Sequence, residues 1–495
     1  MKKYKFKIAL LFLLVAFISC DDLEYIPKDQ LSSEIVVNDP ILLQNVTYGT
    51  YAQLKANNYM APTRRQIEYG SDDMIMHKTT GANLMFTYNY DHIVNSSESI
   101  NSWKLGYQAI YSTNVVIEAI DESETDPNLR QILGENYFLR ALIHFDLVKI
   151  FGRPYTNGDP STNLGVMIRD NTRSDVLPPR STVKECYDFI VADLLKAIEL
   201  MNEPKPNIYA SKEVAKALLA RAYLYMGDNE NALIYADKVI DSGRYELLPY
   251  EDYKSYFTFI PENNRETIFA NKLMAYENYA RASIGSMFNG NGGWGEVFPS
   301  PTYRDLVYKY SEDARINFIE PNFVFDEDGN KIPDPTEHAG YQVRQIDGLS
   351  SYFHVKYTNE DGIQMLSSVI RLRLAEMYLI KAEAYAKTDE DAKAIEMVDI
   401  LRQRAGLSGD QLFANDMQGY TSVMDIVMDE RRLELAWEGH RKIDIFRNNR
   451  TLERDYLPVG VEWHGPRAIP PTSDRIVHYI PDSEIILNPN LVQNP

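Results

Sequence analysis

The chain has 495 residues, of which 51 are lysine or arginine and 71 are aspartate or glutamate, so its formal net charge at pH 7 is −20. This acidic balance argues against nucleic acid and anionic lipid headgroups as partners, because no basic surplus is available to neutralise phosphates. The two cysteines, at positions 20 and 186, leave little scope for disulfides, so the fold must depend on a large apolar core.

The first twenty residues, MKKYKFKIALLFLLVAFISC, have the pattern of an export signal. Four lysines precede an uncharged apolar run from Ile8 to Ile18 that is too short to span a bilayer. The ending Ser19-Cys20 resembles the lipobox of bacterial lipoproteins. We therefore predict a signal peptide at 1–19, lipid attachment at Cys20, and a lipidated N-terminus and tether at 20–40. The alternative is an ordinary signal peptide with an incidental cysteine.

Amphipathic helical patterns follow the tether. Apolar residues recur at helical spacing over 41–56, 102–120, 128–151 and 183–201. Gly152 and Pro154 end the third of these helices. Cys186 lies within the fourth, where we expect it to be a small buried residue.

The clearest local pattern is a pair of helices joined by a tight turn, between Ala215 and Gly243. Small residues on one face of each helix allow close packing, and Gly227-Asp228 forms the turn. The order of Tyr, Gly-Asp and Ala resembles a tetratricopeptide repeat, and a second copy lies between Arg373 and Gly406. We predict repeat-like helices over about 128–243 and 365–447, with 137–151 and 183–201 as a further pair.

The stretch from about 245 to 361 is rich in Tyr, Asn, Gly and Pro and predicts an irregular, loop-rich insertion. A hairpin with Asp328-Gly329 at its turn is expected there. The same residues match a calcium loop poorly, because Val324 and Pro335 would occupy two ligand positions. No linker divides residues 41–495, so we predict a single body.

Motifs for catalysis and cofactor binding are weak. GNGGWG, from Gly290 to Gly295, formally matches a dinucleotide fingerprint, but Pro299 and Pro301 exclude the helix that must follow. We interpret it as a loop that could present Trp294 to a ligand. The sequence contains no HExxH, no P-loop, no GxSxG and no Cys-His cluster. We therefore predict neither enzyme activity nor a cofactor or metal site.

The densest charged segment runs from Met428 to Arg447 and is predicted to be helical. Glu430, Glu434 and Glu438 fall on one face, where like charges repel unless basic groups interleave. The opposite charge could come from arginines of the same segment or from elsewhere in the chain. The candidates are Arg431, Arg441 and Arg447, or more distant arginines such as Arg402 and Arg404. An ion-paired seam between helices is the favoured interpretation, and a ligand or metal site is the alternative.

This segment carries the first of four motifs that are similar to one family. The others are the helix around Arg140, the Trp103 helix and the C-terminal ending. The matching residues are Glu430, Arg431, Glu434, Leu435, Glu438, Gly439, Arg441, Asp444 and Arg447; Arg140, Ala141, Phe145, Leu147, Phe151 and Gly152; Trp103, Tyr107, Ile110 and Asn114; and Ile480, Pro481, Glu484, Asn488, Pro489, Gln493, Asn494 and Pro495. Together they resemble the SusD/RagB family of surface nutrient-binding lipoproteins.

The resemblance implies a mainly α fold, an α-α superhelix of tetratricopeptide-like helix pairs with an irregular, loop-rich ligand-binding half. It also implies a non-catalytic lipoprotein on the outer face of the outer membrane. Such a protein captures a glycan and delivers it to a SusC-like TonB-dependent transporter. Three alternatives remain. The protein could be an oligopeptide-binding importer subunit of the same fold, a tetratricopeptide scaffold without a ligand, or a surface hydrolase.

Ligand-binding residues do not lie in the matched motifs and must be chosen on physical grounds. Sugar sites combine aromatic platforms with amide and carboxylate groups. Trp294 lies between glycines in a loop where burial is difficult, and Trp103 is instead expected in the core. The candidate ligand-binding residues are Trp294, Tyr88, Tyr90, Asn83, Asp72 and Asp73.

Overall fold

The structure is a computed structural model that describes residues 39–77, 80–346, 348–457 and 465–495. The predicted signal peptide, Cys20 and nearly all of the tether lie outside the described residues. Within the described residues, no helix has both the length and the apolar character needed to cross a bilayer.

Helices account for most of the regular structure, as the sequence predicts. In chain order they are α1 Pro40–Lys55, α2 Asn57–Glu68, α3 Ala82–Tyr88, α4 Ser97–Ala119, α5 Pro127–Phe151, α6 Val183–Leu200, α7 Lys212–Met226, α8 Asn229–Ile240, α9 Tyr250–Tyr253, α10 Pro301–Val307, α11 Leu374–Lys387, α12 Asp391–Arg404, α13 Val423–Leu435, α14 Arg441–Arg447 and α15 Asp482–Leu487. Short 3₁₀ turns fill much of the stretch between α8 and α11.

The strands are short and pair only two by two in the described residues. They are β1 Met74–Met76, β2 Thr267–Asn271, β3 Val297–Pro299, β4 Ile319–Pro321, β5 Gln345–Ile346, β6 Leu349–Ser350, β7 Tyr352–His354, β8 Val369–Arg373, β9 Leu452–Glu453 and β10 Ala468–Ile469. The antiparallel pairs are β1 with β3, β2 with β8, β4 with β7, β5 with β6 and β9 with β10.

Consecutive helices stack against one another. Helix α5 packs against α4 and α6, α6 packs against α7, α7 against α8, and α8 against α11, which also packs against α12 and α13. The predicted turn between α7 and α8 is confirmed, because Gly227 takes the left-handed conformation and Asp228 caps α8. Fully buried Ala217 and Ala220 keep α7 close to its neighbours. This arrangement confirms the predicted superhelix of tetratricopeptide-like pairs.

Two large apolar clusters form the core. One lies among the stacked helices, where Trp103 is fully buried and meets Phe151 edge to face at 5.0 Å between ring centroids. Cys186 is also buried there, as predicted. The second lies beneath the loop-rich half and includes Phe288 and Trp437.

The hairpin predicted around Asp328-Gly329 is present. Phe325 and Lys331 pair across it in antiparallel fashion, and Gly329 has a φ of 81° at the turn. The Asp326 carboxylate accepts hydrogen bonds from the backbone N–H of Asp328 and Asn330 at 3.0 and 2.8 Å. Asp326 therefore stabilises the turn through hydrogen bonds to the backbone.

The charged segment 428–447 is not one helix, and that expectation was wrong. Helix α13 ends at Leu435 and α14 begins at Arg441. Between them Trp437 and Gly439 have φ values of 62° and 79°. The break lets the buried Trp437 ring stack on His354 at 4.2 Å between centroids, so packing against the loop-rich half overrides helix propensity.

The predicted ion-paired seam is confirmed. The three glutamates belong to a buried set of five acidic and five basic side chains, which we call the central ion network. Its members are Asp313, Glu266, Glu430, Glu434, Glu438, Arg315, Arg373, Arg402, Arg404 and Lys356. It joins α12 and α13 to β8 and to the loop-rich half, with equal numbers of opposite charges.

Candidate ligand-binding site

A cleft of about 600 Å³ opens between the GNGGWG loop and the segment that carries β4 to β7. We call it the Trp294 cleft. Trp294 and Phe353 supply aromatic surface, and most of the remaining lining is polar. The polar lining side chains are His77, Asn291, Glu296, Asn322, Arg344 and Gln345. Such a mixture suits a ligand that has both apolar faces and hydroxyl groups.

The loop is held in shape by close backbone packing that only glycine permits. A Cβ on Gly293 would lie 2.2 Å from the backbone oxygen of Asn289 and 2.5 Å from that of Ser286. Gly295 has a φ of 60°, and a Cβ there would lie 2.8 Å from the Cα of Gly290. The loop is therefore a compact ring of backbone, continuous with the β1–β3 ladder, and not a flexible tail.

Trp294 stands out from this ring with 54% of its surface exposed. Its indole Nε1–H donates to the backbone oxygen of Arg281 at 3.1 Å. The Arg281 guanidinium carbon lies 4.6 Å from the ring centroid. A backing cation and an edge hydrogen bond fix the indole, so the exposed surface is a preorganised platform.

Amide side chains lie on the facing wall. Gln345 donates through Nε2 to Ser350 Oγ at 3.1 Å and to Glu337 Oε1 at 3.2 Å, which orients its amide at the start of the β5–β6 hairpin. The Asn322 backbone N–H donates to the Ser351 oxygen at 3.2 Å. The wall is thus built on strand ends that are tied to one another, and it presents donors and acceptors toward the cleft.

Asp72 and Asp73 do not line the cleft. The Asp72 carboxylate pairs with Arg441 through two bonds of 2.8 Å, and Asp73 accepts from Arg432 Nε at 2.6 Å. Burial alone would raise the pKa of Asp72, but Arg432 and Arg441 outweigh it and hold that pKa well below its usual range. Burial raises the pKa of Asp73, and the positive charge of Arg432 offsets part of this increase. The two carboxylates fasten β1 to α13 and α14, which is a structural role.

Tyr88 and Tyr90 also lie away from any ligand-facing surface. Both rings are buried, and the Arg454 guanidinium carbon lies 4.6 Å from the Tyr88 centroid. The Tyr90 hydroxyl donates to the Gly70 oxygen at 3.1 Å. The expectation that they offer ring faces to a ligand is not met, because the core and Arg454 already cover them.

Asn83 is exposed in the first turn of α3, where its Nδ2 donates to Ser97 Oγ at 2.9 Å. It is not part of the lining of the Trp294 cleft. Of the six predicted ligand residues, Trp294 lies in the cleft. The polar lining residues on the facing wall were missed, since no local pattern brings the segment around residue 345 to the loop at 290.

Comparison with known proteins agrees with this fold. Residues 22–224 match a family model described as starch-binding associating with outer membrane, and residues 327–495 match the model of the SusD family. The chain belongs to the SusD/RagB family. SusD-like protein P2 of Formosa agariphila is 26% identical over 100% of this chain and 99% of its own length.

Solved structures of the SusD superfamily share the architecture. One from Bacteroides thetaiotaomicron has a TM-score of 0.79 at 25% identity and covers 92% of this chain and 99% of that chain. The surface glycan-binding protein A of Bacteroides uniformis has a TM-score of 0.70 at 19% identity, with 92% of this chain and 99% of that chain covered. This second likeness shows the common fold.

Proposed function

We propose that this SusD-type protein binds a glycan in the Trp294 cleft. The half-exposed, immobilised indole opposite a wall of amides is the observation that carries the proposal. The C–H face of a pyranose ring packs on an indole, while its hydroxyls exchange hydrogen bonds with amide side chains. The cleft volume of about 600 Å³ falls in the range of small-molecule sites.

A binding role is favoured over hydrolysis by the charges in the cleft. Glycoside hydrolysis requires two carboxyl groups on either side of the scissile bond. Among the described residues that line the cleft, Glu296 is the one carboxylate. Asp72 and Asp73 are engaged by arginines beneath β1. We therefore propose capture without turnover.

We further propose that the protein is anchored at the outer membrane through Cys20, faces outward, and passes its ligand to a SusC-like TonB-dependent transporter. The lipobox-like signal and membership of the SusD/RagB family support this assignment. Copurification of a barrel protein with the tagged full chain from outer membranes would test the partnership. Recovery of the chain alone under gentle extraction would contradict it.

Calorimetry on the mature chain with a panel of soluble glycans tests the binding proposal. Trp294→Ala should weaken binding by at least about tenfold. The reason is that aromatic side chains that become buried on binding contribute on the order of 2 kcal/mol. Tyr111→Ala is the matched control, since Tyr111 is 53% exposed on α4 and is not part of the Trp294 cleft. Binding of oligopeptides instead of glycans would favour the peptide-importing alternative. Binding of neither would favour a scaffold.

A further inference from the structure

We propose that the glycan bound in the Trp294 cleft is acidic, and that Arg344 pairs with its carboxylate or sulfate group. This inference rests on the proposed glycan binding and names the chemical class of the ligand. Arg344 lines the cleft, and its side chain is exposed.

The backbone of Arg344 is fixed on both sides. Its N–H donates to the Asn322 oxygen at 2.8 Å, and its own oxygen accepts from the Ser351 N–H at 2.8 Å. The residue therefore sits in a small antiparallel frame directly before β5. The main chain that carries Arg344 is therefore ordered before a ligand arrives, so that binding has to order the side chain alone.

The guanidinium of Arg344 forms no ion pair with any residue in the described part of the chain. In this protein of 71 acidic and 51 basic residues, buried arginines such as Arg373 and Arg404 pair with carboxylates, whereas Arg344 does not. An unmatched guanidinium beside an aromatic platform is available to a ligand anion. Its planar fork of donors fits the two oxygens of a carboxylate or sulfate.

A second guanidinium reinforces the positive character of the cleft. Arg281 lies against the Trp294 ring and donates through Nη2 to the Gly293 oxygen at 3.3 Å, with no carboxylate partner among the described residues. Glu296 is the opposing charge on the lining. Arg344 in the lining and Arg281 against the Trp294 ring thus place positive charge near the platform of a strongly acidic molecule, and positive charge attracts anions.

The test uses pairs of ligands that differ only in charge. Oligogalacturonate is compared with its methyl ester, and a sulfated galactan oligosaccharide with its desulfated form, by calorimetry on the mature chain. We expect at least one acidic member to bind roughly tenfold more tightly than its neutral partner, as a charge-assisted hydrogen bond allows. That preference should shrink at high salt, because screening shortens the range of charge interactions to about 3 Å at 1 M.

Three variants assign the preference to Arg344. Arg344→Gln should bring the acidic ligand down to the affinity of its neutral partner, and Arg344→Lys should retain part of the preference. Arg173→Gln removes the same charge from an exposed residue paired with Asp175, outside the cleft lining, and should change nothing.

The outcomes separate this inference from the proposed function. If neutral and acidic partners bind equally through Trp294, the protein binds glycans but the acidic preference is wrong. If Arg344→Gln weakens both partners alike, or leaves the acidic preference intact, the role of Arg344 is refuted. If no member of either pair and no other glycan binds, the proposed function itself fails.

Discussion

The central ion network makes a quantitative prediction about stability. Glu434 is fully buried in it and accepts hydrogen bonds from Arg373 and Arg404 and, at 2.9 Å, from the Tyr253 hydroxyl. Glu434→Gln keeps the shape of the side chain and removes its charge. The network then holds five cations against four anions in a site without water access.

The size of the effect follows from these contacts. Two hydrogen bonds between opposite charges become bonds from a guanidinium to a neutral amide oxygen, at a cost of about 1 to 1.5 kcal/mol each. The uncompensated guanidinium adds a desolvation cost, and breaking one side of a buried ion pair typically destabilises by about 3–5 kcal/mol. We therefore expect the free energy of unfolding to fall by roughly 3–5 kcal/mol, with the ligand cleft left intact.

Equilibrium urea denaturation of the mature chain, followed by far-ultraviolet circular dichroism, measures this loss. Asp188→Asn is the matched control, because it removes a carboxylate from the exposed i,i+4 pair with Lys184 on α6 and should leave the midpoint unchanged. Adding Arg404→Met to Glu434→Gln restores the charge balance, so the double variant should lose less than the sum of the single losses. A loss below about 1 kcal/mol for Glu434→Gln would refute the buried, unhydrated network.

Three further outcomes are expected. Five buried histidines have pKa values lowered by burial, to about 3 for His92 and His144. Above pH 6.5 these histidines are neutral in both the folded and the unfolded chain. Below pH 6.5 they bind protons in the unfolded chain but stay neutral in the folded one. Each therefore costs about 1.4 kcal/mol per pH unit, and Glu68, whose pKa burial raises to about 8, offsets one of them. The urea concentration at the unfolding midpoint should decrease as the pH is lowered from 6.5 to 5. A midpoint that does not change with pH would contradict this account. Gly293→Ala should abolish ligand binding in calorimetry while the far-ultraviolet spectrum stays unchanged, because its Cβ would collide with backbone; unaltered affinity would show that the ring tolerates a shift. Cys20→Ala should move the chain to the soluble fraction with its binding retained, and a variant that stays with the membrane without its transporter would rule out lipid anchoring.

The sequence was sufficient wherever the governing interaction is local. The pattern over 128–151 predicted α5, observed at Pro127–Phe151, to within a residue at either end. The hairpin at Gly329 and the turn at Gly227 follow from glycine's access to left-handed backbone. Charge spacing predicted that Glu434 would be paired, because three acids on one face need cations.

Prediction failed where the partner lies far away along the chain. In the sequence Asp72 resembles a carboxylate of an exposed loop. In the structure it pairs with Arg441, which lies 369 positions later in the chain. In the sequence Tyr88 resembles an aromatic platform for a sugar, but in the structure Arg454 and the core cover its ring. The facing wall around Gln345 was missed for the same reason, since its position depends on strand pairing that no helical or alternating pattern encodes.

The contacts between the two ends of the sequence have a consequence for the order of folding. Arg64 donates to the backbone oxygens of Glu438 and Ile370, and Lys442 donates to the oxygen of Tyr69 at 3.3 Å. The stacked helix pairs can form as each is synthesised, because their contacts are close in sequence. The region around α2 cannot be completed until nearly the whole polypeptide has emerged. This region is thereby kept from closing early, and a product truncated before residue 430 would lack the cations that neutralise the buried acids near its N-terminus.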